Sequence, residues 1–323
     1  MVRPILDWLQ RLKQHRPATA PSAWLGVHRG SDRLTAAVVS GMVHGKPKVQ
    51  VLGTFEGEQA TPQLLQWHKG LSRGQRGAAC LLLDAHDYQL LVLDMPPVAL
   101  DERREAVRWR LRDVIDFPAD EAALDCIDIP ATNAGEAATK LLTVVSKRAV
   151  VGDWMQRFQD GALPLAAIDI PELALRNVAL LAGQDSAHAY LHVGLETTRL
   201  LMLWQRELCA FRQLDVSASQ WANADALDRS DLADRLALEI QRSVDAFARQ
   251  YYSADFSHLW VSGAGDVAGL CEALTPLVTV PIKPLLLNEW VEWDEGTQVM
   301  DLARRIDYTL AVGAALRCEA GAP

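Results

Sequence analysis

Residues 24–34 read WLGVHRGSDRL. The apolar run Trp24-Leu25-Gly26-Val27 enters a turn at His28-Arg29-Gly30-Ser31, and a second run with apolar character leaves from Arg33. Apolar stretches on both sides of a Gly-containing turn predict a hairpin. A glycine in such a turn lets the backbone come close to a ligand, phosphate above all. What that hairpin serves depends on whether the chain builds a second one to face it.

It does. Strands are predicted at 23–28, 33–39 and 47–55, separated by RGSD and by a loop over GMVHGKP (41–47). Beyond the polar break GQDSAH (183–188), the stretch AYLHVGLETTRLLML followed by ELCAFRQLDV repeats the plan of strand, Gly turn, strand, short turn, strand. The first meander is followed by a helix near 61–72 and strands at 78–84 and 88–95. A helix capped by Asp101 comes next, with Val107, Leu111, Val114 and Ile115 as its apolar stripe. FPADEAALDCIDIP (117–130) turns out of that helix into another strand, and further strands are predicted at 141–146 and 165–170, with helices near 147–160 and 171–182. The second meander leads to a helix over 231–251, with Leu232, Leu236, Ile240, Val244 and Phe247 on one face. A strand at 258–263, a helix near 266–275, a strand near 279–282 and a helix near 301–317 complete the chain. A duplicated α/β plan of this kind turns its two Gly turns towards one cleft.

Composition narrows the partners. The 323 residues are 50% hydrophobic and 23% charged, with a formal net charge of −9. That is globular, long enough for two cored domains, and too acidic for a broad nucleic-acid surface. The five cysteines, Cys80, Cys126, Cys209, Cys271 and Cys318, are scattered and form no CxxC. They read as free thiols of a reducing cytoplasm rather than as a disulfide or zinc framework. No apolar run reaches the roughly 18–20 residues of a membrane span, and charges interrupt the first residues as they do not in a signal peptide. Val2, Ile5, Leu6, Leu9 and Leu12 recur at helical spacing among Arg3, Arg11 and Lys13. Segment 1–21 is therefore amphipathic, suited to docking on a neighbouring surface or to lying on anionic lipid.

The layout resembles the actin-like superfamily (ASKHA, ribonuclease-H-like), a duplicated two-lobe α/β fold that includes actin, Hsp70, sugar kinases and FtsA. Within it, MPPVALDERREAVRWRLRDVIDFPADEAALD (95–125) resembles the signature of the PilM/MshI proteins of type IV pilus assembly, with Trp109, Phe117, Pro118 and Glu121 in order. AIDIPELALRNVAL (167–180) and ALEIQRSVDAFARQYYSADFSHLWVSGAG (237–265) resemble that family's strand-to-helix step and its long helix with the following turn. The likeness runs from about 24 to 317. It implies one lobe at 22–183, with an inserted subdomain at about 85–150, and a second lobe at 184–323 whose outer subdomain is reduced.

The resemblance also assigns a cleft. The three turns that hold a nucleotide in the superfamily correspond to HRGS, HVGLETT and VSGAGD, with Gly30, Ser31, Gly194, Thr197, Gly263 and Gly265 as the cofactor-binding candidates. Ala264 stands where a glycine is common. Superfamily enzymes carry an aspartate just before each of the first two turns; here those places hold His28 and His192. Magnesium binds through carboxylate oxygens and water, and phosphoryl transfer needs the metal and an oriented water. The site thus reads as vestigial: no catalytic residue, no metal, and no cofactor expected, with ATP or ADP the candidates if one binds. Glu196 lies two residues past its glycine and is not assigned as a base.

Other features have plainer readings. His188 and His192 are too far apart along a strand to share a metal; His28 with His192 lacks a third ligand. Ser31, Ser262 and Thr197 are polar turn residues without a nucleophile elbow. Arg103, Arg104, Arg108, Arg110 and Arg112 are interspersed with acids and form either a solvated face or a dock for an acidic segment. Trp67, Trp221, Trp290 and Trp293 are candidates for the surface, the last two as interface anchors or core.

The implied function is a non-catalytic scaffold of an MSHA-type type IV pilus platform, cytoplasmic and peripheral to the inner membrane. Its implied partner is the cytoplasmic N-terminal peptide of a PilN-like single-span inner-membrane protein, beside other platform proteins. The alternative is an ATP-binding actin-fold ATPase or kinase with an unusual site. GspL of type II secretion is the neighbouring family.

Overall fold

Two sheets of the same strand order are joined by a long apolar core, and a smaller third sheet sits against it. The computed structural model describes residues 23–30, 32–132, 137–182, 186–251, 254, 256–263, 265–294, 297 and 302–317. The amphipathic segment 1–21, Ser31, Ala264 and Cys318 lie outside them.

The first sheet begins with a meander of β1 (Ala23–Arg29), β2 (Arg33–Val43) and β3 (Lys46–Glu56). β2 runs through the stretch expected to be a loop and turns only at His44 and Gly45, both with positive φ. Helix α1 (Ala60–Gly70) crosses over to β4 (Ala78–Leu82), which pairs in parallel with β1. β8 (Leu165–Asp169) extends the sheet beside β4.

The second sheet repeats this. β9 (Ala187–Val193), β10 (Thr198–Trp204) and β11 (Glu207–Leu214) form the meander; β12 (Phe256–Gly263) lies parallel to β9, and β13 (Ile282–Pro284) lies beyond it. The orders β3-β2-β1-β4-β8 and β11-β10-β9-β12-β13 match position for position. A two-residue strand β14 (Glu292–Trp293), which the sequence pattern did not suggest, adds to the β3 edge. Every residue of β9 and β10 is buried, because both faces of that sheet are covered.

The third sheet, β5 (Tyr88–Asp94), β6 (Ala122–Ile129) and β7 (Lys140–Lys147), is antiparallel in the order β5-β7-β6. Helix α2 (Arg103–Leu111) and the turn after it cover one face through Val107, Leu111 and Ile115. Its N-cap is Glu102 rather than Asp101, and Val114, counted above in the apolar stripe, is 50% exposed. One turn past the helix, position 114 has rotated off the core face.

The remaining helices are α3 (Arg148–Asp160), α4 (Pro171–Ala179), α5 (Ala218–Asn223), α6 (Ala226–Gln250), α7 (Val267–Leu274), α8 (Leu287–Trp290) and α9 (Leu302–Ala315). α6 starts five residues before the expected 231, because Asp225 accepts from the Leu227 and Asp228 amides and caps it there. Its stripe Leu232, Leu236, Ile240, Val244 and Phe247 is buried as the spacing requires. α9 lies so close to β1 that a Cβ at Gly26 would stand 2.0 Å from the Ala311 carbonyl oxygen. Asn177 of α4 donates to the Gly313 carbonyl at 3.0 Å, tying α4 to α9.

Candidate functional site

The turn after β1 and the turn after β9 border one cavity of about 740 Å³. His28 and Gly30 line it from one side, and His192, Gly194 and Thr197 from the other. Ile306 and Leu310 of α9 contribute apolar lining. Gly263 and Gly265 are not among the lining residues. Gly263 serves the strand junction instead. Its φ is +84°, and a Cβ there would lie 2.1 Å from the Val193 carbonyl oxygen, so it permits β12 to reach its end beside β9.

Both turns close on themselves. The Gly30 amide donates to the Arg33 carbonyl at 2.9 Å, and the Gly194 amide to the Thr197 carbonyl at 3.1 Å. Each bond occupies one of the successive turn amides from which a phosphate cradle is built. The cationic side chains are engaged as well. Arg29 pairs with Asp87 at 2.9 Å, Arg33 with Asp32 at 2.9 Å, and Arg199 with Glu172 at 3.0 Å.

The two imidazoles are neutral at pH 7. Burial above all, and then the Arg199 guanidinium, lowers His28 to about 4 although Asp84 opposes it. Burial, Arg199 and His28, in that order, lower His192 to about 3. His192 is fully buried, with Nδ1 2.9 Å from Ser262 Oγ, itself 2.6 Å from the Tyr190 hydroxyl. Both hydroxyl protons find acceptors if Tyr190 donates to Ser262 and Ser262 to Nδ1. The ring proton then sits on Nε2, which has no hydrogen-bond partner among the described residues.

Residues that the sequence reading passed over also border the cavity. Asp84, at the end of β4, accepts from the His86 amide at 3.0 Å and lies 2.8 Å from its Nδ1. Desolvation is the largest single influence on Asp84 and raises its pKa, but the His86 hydrogen bonds and Arg29 together hold it below the ordinary value. Among the described residues, no group of three or more His, Cys, Asp or Glu is arranged to hold a metal ion. His28 and His192 are brought to one cavity, while His188 instead stacks on His258 at 6.3 Å.

The arginine helix is not a free cationic face. Arg103 pairs with Asp128 at 2.7 Å and Arg104 with Asp125 at 3.0 Å on β6; Arg108 pairs with Glu105, and Arg110 donates to the Asp94 carbonyl. Arg112 stacks over Trp109 at 3.9 Å. Trp109 is 65% exposed and Leu100 75%, with Val98 and Val114 also open to solvent. Of the tryptophans considered for the surface, Trp221 is buried and Trp67, Trp290 and Trp293 are half-buried; Trp67 packs on Phe55 at 5.5 Å, and Trp290 packs on Trp260 at 5.9 Å, as the core alternative has it.

No protein-family model matches the chain, and no curated protein matches it. Among solved structures it is similar to the PilM-PilN type IV pilus biogenesis complex, with TM-score 0.66 and 23% identity over 91% of this chain and 97% of that one. The fold is actin-like and PilM-like. Fainter similarities are to the cytoplasmic domain of EpsL, an inner-membrane component of the Vibrio cholerae type II secretion system (TM-score 0.47, 14% identity, 89% of this chain and 95% of that one). Another is to a Bacteroides thetaiotaomicron protein described as having an actin-like ATPase fold and unknown function (TM-score 0.46, 10% identity, 92% and 96%). Among the described residues no helix is long and apolar enough to cross a membrane. Within this actin-like frame, the cavity occupies the place between the two repeated meanders, and its turns present hydrogen bonds already made.

Proposed function

We propose that this chain is a non-catalytic actin-like scaffold of a type IV pilus platform, of the MSHA type, working at the cytoplasmic side of the inner membrane. It docks the cytoplasmic N-terminal tail of a PilN-like single-span membrane protein. What supports a site without turnover is the pair of neutral imidazoles, His28 and His192, at the two positions where the resemblance expects carboxylates, beside Gly turns whose Gly30 and Gly194 amides are bonded to carbonyls of their own turns. The likeness to a PilM-PilN complex supports the partner. The exposed side chains of Leu100, Trp109 and Val114 on the subdomain supply apolar surface of the kind that protein contacts use.

Two measurements test this. Titration calorimetry with ATP, with and without Mg²⁺, should show no Mg²⁺-dependent binding and no phosphate release; turnover would refute the scaffold. The tail peptide of the membrane partner should co-purify with the chain.

A second reading, an ATP-binding actin-fold ATPase or kinase, draws on the size of the cavity and on Asp84 inside it. It requires the Gly30 and Gly194 turns to reopen when nucleotide enters, which the same calorimetry detects.

A further inference from the structure

The three-stranded sheet touches more than its own helix. The face turned away from α2 carries Tyr88, Leu90, Ile127 and Val144, and these pack against the large core that elements of both lobes build, with β6 lying against β11 of the second lobe. A sheet that departs from the first lobe therefore has its back against the second.

At that junction stands a polar group buried between three elements. The Tyr88 hydroxyl on β5 donates to Glu172 Oε2 at 2.5 Å. Glu172, on α4, accepts Arg199 Nε on its other oxygen at 3.0 Å. Arg199, on β10, also donates through Nη1 to Thr197 Oγ1 at 3.0 Å, inside the second Gly turn. The side chains of Arg199 and Glu172 are 9% and 8% exposed. Burial first, and the Glu172 charge second, push the Tyr88 phenol far above its ordinary value, so it remains a donor. A buried ion pair is hard to open from either side, because breaking it leaves a charge unpaired, and hydrogen bonds in series transmit that cost.

We propose that the three-stranded sheet is a strap fastening the two lobes, and that Tyr88, Glu172 and Arg199 are its buckle, through which the cleft and the subdomain act on each other. A ligand that draws Arg199 towards the cavity takes the charge partner from Glu172 and loosens Tyr88. A partner that shifts β5 acts in the opposite direction. By linkage the two effects on binding are equal. The ion pair, made or broken, is the two-state element. This holds whatever occupies the cleft, so it stands apart from the scaffold reading.

Hydrogen exchange on the full chain tests it, using Tyr88→Phe and Arg199→Lys. Tyr88→Phe keeps the ring and its packing and removes one hydroxyl. Amide exchange over 194–199 and over β5 should rise together, by about three- to tenfold, with the β2–β3 hairpin unchanged. The double variant should exchange no faster at 194–199 than Arg199→Lys alone, since one break already undoes the buckle. A change confined to β5, or additive effects in the double variant, overturns the proposal. Should Arg199→Lys fail to fold, Tyr88→Phe decides alone: the turn at 194–199 loosens with it or the buckle is refuted.

Discussion

The cleft and the outer side of α2 treat their side chains in opposite ways. Around the cleft, Arg29, Arg33 and Arg199 each have a carboxylate, and the Gly30 and Gly194 amides have carbonyls of their own turns. Around α2, Arg103, Arg104 and Arg108 have carboxylates too, but Trp109, Leu100 and Val114 are left to solvent. A site whose arginines are paired gains rigidity and has little positive charge left to offer a ligand, although His192 Nε2 stays unpartnered among the described residues. A surface that leaves a tryptophan exposed between paired charges offers apolar area at the lowest desolvation cost to a partner. On the scaffold reading, that difference would place recognition on the subdomain and architecture in the cleft.

The strongest way to break that contrast is to unpair the cleft. Glu172→Ala strands Arg199 in a buried site, and Arg199→Ala strands Glu172. Either should lower stability by about 3–5 kcal/mol, read as a fall in the urea midpoint. A loss below about 1 kcal/mol would mean that the pair is solvated after all.

Next in size is the third turn. Gly263→Ala forces a side chain to φ +84° and drives its Cβ against the Val193 carbonyl. A destabilisation of about 2 kcal/mol or more is expected, with no ligand present. It would show that this glycine serves the strand junction, whereas a variant of ordinary stability but altered nucleotide affinity would return it to the cleft.

Acid offers a third test. The folded chain holds His192 at about 3, against an ordinary value of 6.5. Between those values the unfolded chain takes up a proton that the folded chain refuses, so stability is full above about 6.5 and falls as pH drops, levelling off near 3. For His192 the loss should reach about 2 kcal/mol at about pH 5. His28 and His258, both lowered to about 4, act in the same direction. His192→Asn should flatten the slope of stability between about pH 6.5 and 5; an unchanged slope would mean that the ring is hydrated in the folded chain.

What the sequence disclosed follows the same division. Both meanders, and the stripe of α6, were legible because apolar periodicity reports which face is buried. The meeting of His28 with His192 was legible because the plan occurs twice. The buckle was not. Glu172 in PEL and Arg199 in TTRLLML are single charges within apolar runs, a signal that a pair is buried, but pairing across 27 residues is set by the crossing of α4 over β10. Asp84 was missed because the end of β4 turns into the cavity only once β1 and β4 are parallel. The third turn resembled the other two in its glycines, yet its backbone serves β9. Trp109 was read as a mark of resemblance rather than a surface group; the helix register decides it, since Val107 and Leu111 face the sheet and position 109 points the other way.

That register gives the smallest effect on the fold and the most informative one on function. Trp109→Ala removes a ring that is 65% exposed and stacked by Arg112. Its loss should change stability by no more than about 0.5 kcal/mol. If the subdomain is the docking face, the same change should weaken the membrane partner's tail by about tenfold or more, because exposed aromatics at interfaces carry a large part of binding. His28→Asn, in the cleft, should leave tail binding unaltered. A tail that binds Trp109→Ala as it binds the native chain, but is lost on His28→Asn, would reverse the contrast: recognition would then lie between the lobes, and Trp109 on α2 would be ordinary surface.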